Sequence, residues 1–412
     1  MANFAQVVYW EPLARAFKLL VASSVVWLPL VLVYLAIWLW LFRARARWIN
    51  ELDWVLLEIK LPKEIAKTPA AMELVLGVFN RPERDDLINK WLKGEQRIWG
   101  SLEIASLGGE VKFFIHCKRE SRNQVEAAVY AQYPNVEIFE AEDYTNKIPY
   151  GLPADEWKLW GFELVLAKED AYPLKTYLDY GMDEPVDPKM AGAQVDPLTH
   201  LIEYFATLKP DEQMWVQILV RGTMNRFAKT SGSWWERLFE KQDWTKEAEK
   251  VIKKIRKEDE EHAGKFVVLT PGEMESLKAI ERTLNKPAYD CGLRAIYLAK
   301  KESFNPTNYG GLVGSLVQYN SPMRNGFKLV NITKVTYPWQ DLTGRRLALK
   351  KAIMFDAYRR RSYFYPPYTR RPFVLSSEEL ATLFHFPGSV AATPRLAKIE
   401  SKRAEPPINL PL

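Results

Sequence analysis

Histidine and cysteine are nearly missing from this 412-residue chain, which has 4 His and 2 Cys. Two thiols, Cys117 and Cys291, cannot form a disulfide framework, and their places in apparent strands fit a reducing compartment. His116, His200, His262 and His385 lie far apart with no two at helical i, i+4, so metal-ligand spacing is missing as well. The only Gly-Lys pair, Gly264-Lys265, is followed by Phe266 where a phosphate-cradling loop needs Ser or Thr. The sequence contains neither a G-x-S-x-G elbow nor an H-E-x-x-H helix. His116 and Cys117 are neighbours on a strand pattern, which turns their side chains to opposite faces and excludes a dyad by adjacency. The expectation is a protein without catalytic residues, metal or cofactor.

Charge is absent from one long stretch. Leu19–Phe42 carries no charged side chain. As a helix it is about 36 Å long, enough to cross a hydrocarbon core of about 30 Å with some tilt. Trp27, Trp38 and Trp40 add aromatic weight, Pro29 marks a place for a kink, and Arg43, Arg45 and Arg47 follow as a stop-transfer pattern. A signal peptide has a shorter apolar region and a small-residue cleavage site, so a single-pass anchor from Leu19 to Phe42 is the expectation. Three Arg after the span against Arg15 and Lys18 before it place the bulk of the chain in the cytoplasm, at the inner membrane.

Behind the anchor the composition is globular, with 48% hydrophobic and 26% charged residues. The pattern predicts an α+β fold. Trp54–Leu61 alternates as a strand, and Thr68-Pro69 opens a helix to about Phe79. Leu102–Leu107 and Val111–Cys117 are strands joined by Gly108-Gly109, a helix runs from Ser121 to Gln132, and Val136–Ala141 is a last strand. That order, βαββαβ, is the ferredoxin-like unit. A second copy follows in Leu159–Ala167, Asp196–Leu208, Met214–Arg221, Tyr289–Lys300, Asn308–Asn320 and Asn325–Thr336. Its insertion, 222–286, carries Trp234, Trp235, Leu238 and Phe239. It also carries a charged run, Lys246–Glu261, that reads either as a solvated helix or as a projection touching a partner. The expected domains are 1–50, 51–150, 151–340 and a C-terminal segment 341–412.

That last segment is basic. Leu342–Arg403 holds 13 Lys/Arg against 4 Asp/Glu, net +9, so the rest of the chain nets −3 of the total +6. Arg359, Arg360, Arg361, Arg370 and Arg371 bracket an aromatic run that includes Tyr363 and Tyr365. Such a run could hold phosphates and stack bases, dock an acidic protein surface, or cover the core with Arg stems. Glu378-Glu379 suit the first turn of a helix capped by Ser376 or Ser377.

The stretch 375–388, with Glu379, Leu380, His385 and Pro387, resembles the segment just ahead of the motor in HerA/FtsK-class ATPases of conjugation and type IV secretion systems. So does the close, Thr393-Pro-Arg-Leu through Ser401–Pro411. The anchor and the α+β region resemble that module's membrane-proximal part. No residue here matches a Walker A or Walker B motif, and the sequence reaches Leu412 where that motor would begin. The resemblance therefore implies a non-catalytic accessory scaffold that docks a separately encoded ATPase. The implied partners are the lipid bilayer and that ATPase, with DNA and further copies of the chain open. The alternative is a membrane-tethered nucleic-acid-binding protein using the basic C-terminal segment.

Overall fold

A computed structural model of the protein describes residues 2–62, 65, 67–80, 89–148, 156–183, 196–223, 226–227, 241–242, 244–256, 269–388 and 398–399. The chain divides into two units, Met1–Leu52 with Glu83–Arg97, and Asp53–Pro82 with Ile98–Leu412.

The first unit is helical. Helices α1 (Ala2–Ala22) and α2 (Ser24–Glu51) meet at Ser23. The Leu20 carbonyl at that break accepts from Ser23 Oγ at 3.2 Å and from Trp27 Nε1 at 3.1 Å. The break lies just ahead of Pro29, whose missing N–H leaves the Val25 carbonyl without its usual donor. The uncharged run is therefore split, and Leu19 belongs to α1 rather than to the long helix. Helix α2 has a mean hydropathy of 2.4 in its most apolar window, and none of that window is buried. Its 28 residues make it about 42 Å long, so Arg43, Arg45 and Arg47 continue the helix beyond its apolar part. Trp38 and Phe42 stack with ring centroids 5.9 Å apart. Gly94, at φ +70, lies against the α2 backbone, where a Cβ would come within 2.5 Å of Arg45 N.

The second unit is built on a mixed sheet of ten strands among the described residues. In chain order they begin β1 (Trp54–Pro62), β2 (Gly100–Leu107), β3 (Glu110–Lys118), β4 (Glu137–Glu140), β5 (Trp157–Leu166) and β6 (Glu212–Gly222). A separate short hairpin, β7 (Arg226–Phe227) with β8 (Lys241–Gln242), falls within the insertion. The sheet continues with β9 (Ala288–Lys300), β10 (Phe327–Val330), β11 (Phe373–Ser376) and β12 (Lys398–Ile399). Neighbours run β10-β5-β9-β6-β2-β3-β1-β4, with β11 beside the first part of β9 and β12 beside the end of β1. All these pairs are antiparallel except β1 with β12. Gly108 and Gly109 turn β2 into β3 at φ +66 and +91, the left-handed pair that a two-residue hairpin needs. The two halves join where β2 and β6 pair from Gly100↔Val220 to Leu107↔Gln213.

Strand alternation sorts side chains between two faces. On one face Leu293, Ala295 and Tyr297 of β9 meet helices α3 (Ala70–Leu76), α4 (Arg122–Gln132), α5 (Pro197–Ala206), α8 (Asn308–Val317) and α10 (Ser377–Leu383) in the main core. On the other, Ile296 and Leu298 join Leu56, Phe114, Tyr144 and Trp215 under Met354, Phe355 and Tyr358 of α9 (Arg345–Arg359). Cys117 and Cys291 are buried free thiols. Cys117 faces the main core, whereas its neighbour His116 points the other way.

In the insertion, α6 (Trp244–Ile255) packs Ala248 and Val251 against Ile280 of α7 (Pro271–Leu284). The described part of the charged run, as far as Ile255, is thus a helix with one face buried. Thr270 caps α7 through a capping box with Glu273, and Pro271 occupies its first turn. Trp234, Trp235, Leu238 and Phe239 lie outside the described residues. The segment from 341 onward supplies β11 to the sheet and α10 to the core.

Candidate functional site

Four central strands each carry a polar residue between apolar neighbours near mid-strand, and the register aligns these four into a row. Glu163 of β5 faces Arg294 of β9, Arg294 faces Gln217 of β6, and Gln217 faces Glu103 of β2. All four are buried. Arg294 donates from Nη2 and Nε to Glu163 Oε1 at 2.8 and 3.2 Å, and from Nη1 to Gln217 Oε1 at 3.3 Å. Gln217 passes the polarity on, donating from Nε2 to Glu103 Oε1 at 2.9 Å. Ser101 Oγ and Tyr144 Oη also donate to Glu103, at 2.6 and 2.8 Å. The row crosses the β2–β6 seam, so it ties the two halves of the sheet together.

Arg361 completes the row, and the end of α9 explains how. Arg361 N–H donates to the Tyr358 carbonyl and Ser362 N–H to the Ala357 carbonyl, each at 3.0 Å. These two bonds form the Schellman pattern, in which the residue after the cap takes a left-handed conformation and is usually Gly. Here it is Arg361, at φ +49. The strain of about 1–2 kcal/mol is offset by what its side chain reaches. Arg361 Nε and Nη2 donate to Glu103 at 3.0 and 3.1 Å, and Nη1 and Nη2 both donate to Asp143. Trp99 Nε1 donates to the Arg361 carbonyl at 3.1 Å.

Burial acts to raise the pKa of Glu103, but the Arg361 charge overrides it and holds the carboxyl below its ordinary range. Asp143 is lowered by the same balance. Burial, reinforced by Arg361, pushes the His116 imidazole down to about 3, so it is neutral at physiological pH. Its ring stacks on Trp54 with centroids 4.9 Å apart.

The aromatic run expected at a phosphate or partner contact mostly turns inward. Of these residues, Arg361 and Tyr363 are buried. Tyr363 fits because β9 has Gly292 beneath it, where a Cβ would come within 2.5 Å of the ring. Arg370 pairs with Glu163 at 3.0 Å and Arg360 with Asp356 at 2.8 Å. Tyr365 accepts from Arg221, which also pairs with Asp290. Arg359 is half-buried at the end of α9, and Arg371 is exposed. The Arg371 carbonyl accepts from Tyr363 Oη at 3.3 Å.

The 375–388 motif is a folding motif in this chain. Ser376 caps α10 with Glu379 in a capping box, and Leu380 and Pro387 are buried. Glu379 also accepts from Leu174 N–H at 2.8 Å, and burial pushes its carboxyl up to about 7. His385 bonds the Ala381 carbonyl at 2.9 Å and Asp196 Oδ2 at 3.3 Å. Glu378 is paired with Arg282 at 2.8 Å and Lys286 at 3.0 Å. The close from Thr393 lies outside the described residues apart from β12.

Sequence reasoning missed Glu103, Asp143, Glu163, Gln217 and Arg294. The available signal was a lone polar side chain at the centre of each apolar strand, as in Met214-Trp-Val-Gln-Ile-Leu-Val220. It missed an exposed strip as well. Tyr337 and Trp339 stack at 4.6 Å and 9° in full view of solvent, followed by exposed Leu342, Arg345, Arg346, Leu349 and Lys350. No metal-holding group of His, Cys, Asp and Glu occurs among the described residues.

In comparisons with known proteins, the model of a family described as a domain of unknown function (DUF8128) matches residues 46–398. No curated protein matches the chain.

Proposed function

The chain belongs to the DUF8128 family, and from its geometry we propose that it is a non-catalytic, membrane-anchored platform. The observation that carries this is the buried row from Glu163 to Glu103, closed by Arg361. It commits charges that could do chemistry to joining both halves of the sheet and the C-terminal segment into one body. Glu103, Asp143 and Glu163 are balanced there by Arg294, Arg361 and Arg370. Breaking such buried pairs is expensive, so the arrangement favours rigidity over catalysis.

Each half of the sheet is, in this reading, a ferredoxin-like unit. The orders β4-β1-β3-β2 and β10-β5-β9-β6 are the same antiparallel arrangement of a βαββαβ chain, and both halves pack their helices into the same core. The long apolar α2 supports anchoring in a bilayer, and the Arg balance around it supports a cytoplasmic body at the inner membrane. The resemblance of 375–388 to the segment ahead of HerA/FtsK-class motors supports a separately encoded ATPase of a conjugation-like or type IV secretion-like machine as the docked partner.

The protein should remain in the membrane pellet after an alkaline wash and turn over no ATP when purified. Release into the supernatant would remove the anchor from the proposal, and ATP hydrolysis that follows the protein through purification would remove the non-catalytic role.

A further inference from the structure

We propose that the strip from Tyr337 to Lys350 docks onto the anionic lipid surface of the bilayer; this rests on the membrane-anchored reading. Three observations converge on it. First, the strip is apolar where a soluble surface should not be. Leu342 is 87% exposed, Trp339 70% and Leu349 61%. Second, these side chains are interleaved with exposed Arg345, Arg346 and Lys350, while the Asp341 carboxylate, the acid of this stretch, accepts the Leu347 N–H at 2.7 Å. Tyr and Trp favour the headgroup level, and Lys and Arg favour anionic headgroups. Third, connectivity keeps a bilayer within reach. Only Leu52 and Asp53 separate the end of α2 from the start of β1, and the nine residues of α2 from Arg43 through Glu51 span about 14 Å. A tether that short gives even a weak surface contact a high effective concentration.

The basic segment thereby divides into two parts. Arg361 and Arg370 serve the interior, and Arg345, Arg346 and Lys350 serve the membrane surface. Nucleic acid is the competing ligand for such a strip, but Trp339 and Tyr337 stack on each other at 4.6 Å, which leaves no slot for a base between them. Leu342 and Leu349 also suit acyl chains better than phosphates.

The full chain is reconstituted into vesicles of phosphatidylcholine, with or without one part in about three of phosphatidylglycerol, a content chosen to mimic an anionic leaflet. The L342C variant carries an environment-sensitive fluorophore; the natural thiols are buried. Emission from L342C should rise severalfold and shift to the blue when the anionic lipid is present. The same label on E302C, an exposed site elsewhere, should not respond. Each neutralised cation should weaken docking about fivefold, so R345Q/R346Q/K350Q should weaken it on the order of 100-fold and return L342C emission to its phosphatidylcholine level. Equal L342C emission in both vesicle types, in protein that co-floats with them, would overturn the proposal. So would a response that appears only when duplex DNA is added. Failure of the chain to co-float would instead remove the anchored reading, and the inference with it.

Discussion

Replacing Arg361 by Met should be among the most damaging single changes in the sheet unit. The guanidinium gives two donors to Glu103 and two to Asp143, and it is 3% exposed. Its loss leaves Glu103 in the interior with neutral donors and no counter-charge of its own. Removing one partner of a buried pair costs about 3–5 kcal/mol, several times the value of an exposed pair. The unusual backbone at this position supplies an internal control. R361G and R361A both remove the charge, but only Gly is at ease at φ +49, so R361A should be the less stable by about 1 kcal/mol. A second control is E103Q/R361M, which should be more stable than the sum of the two single effects predicts, because Glu103 is no longer left charged and alone while the loss at Asp143 is common to both R361M backgrounds. The assay is urea unfolding of the full chain in detergent micelles, followed by tryptophan fluorescence; Trp99 donates to the Arg361 carbonyl and reports locally. A cost below about 1 kcal/mol for R361M, or an additive double variant, would refute the claim that this pair holds the segment in place.

Other outcomes follow from the same geometry. His116 has a folded pKa of about 3 against an ordinary 6.5, so the unfolded chain binds an extra proton between those values, and stability is lost as pH falls through that window. Glu379 behaves oppositely. Its folded pKa of about 7 lies above the ordinary 4.5, so its contribution is complete below 4.5 and is lost as pH rises toward 7. Between pH 4.5 and 6.5 the two slopes oppose each other. H116F should therefore expose a fall in stability with rising pH, and E379Q a rise, each approaching about 1.4 kcal/mol per pH unit in denaturation series across that range. G292A should destabilise by about 1–3 kcal/mol, because its methyl group would meet the Tyr363 ring. In a Y363A background the same glycine change should cost less in the same unfolding assay, because the ring it meets is gone.

Much of the architecture was legible because it rests on local signals. Short apolar and alternating runs marked eight of the strands of the sheet, and Gly108-Gly109 and Ser376 marked a turn and a cap. The strand order itself depends on pairing between residues far apart, such as Glu103 with Gln217, which no local pattern encodes. The C-terminal segment stayed open among several readings for a related reason. Its composition showed many cations, but composition does not say which of them have a carboxylate waiting. Arg361 has Glu103, distant in sequence, whereas Arg345 and Arg346 remain on the exposed strip. The break inside the apolar run was not legible because uniform hydrophobicity does not mark one; Ser23 and Trp27 both engage the Leu20 carbonyl there.

The docking role is tested most directly by capturing the tagged full chain from detergent-solubilised native membranes after chemical crosslinking and identifying what is joined to it. The expected result is recovery of a separately encoded HerA/FtsK-class ATPase, with crosslinks to the body behind α2. Repeated capture at native expression that yields the chain without any such ATPase would contradict it.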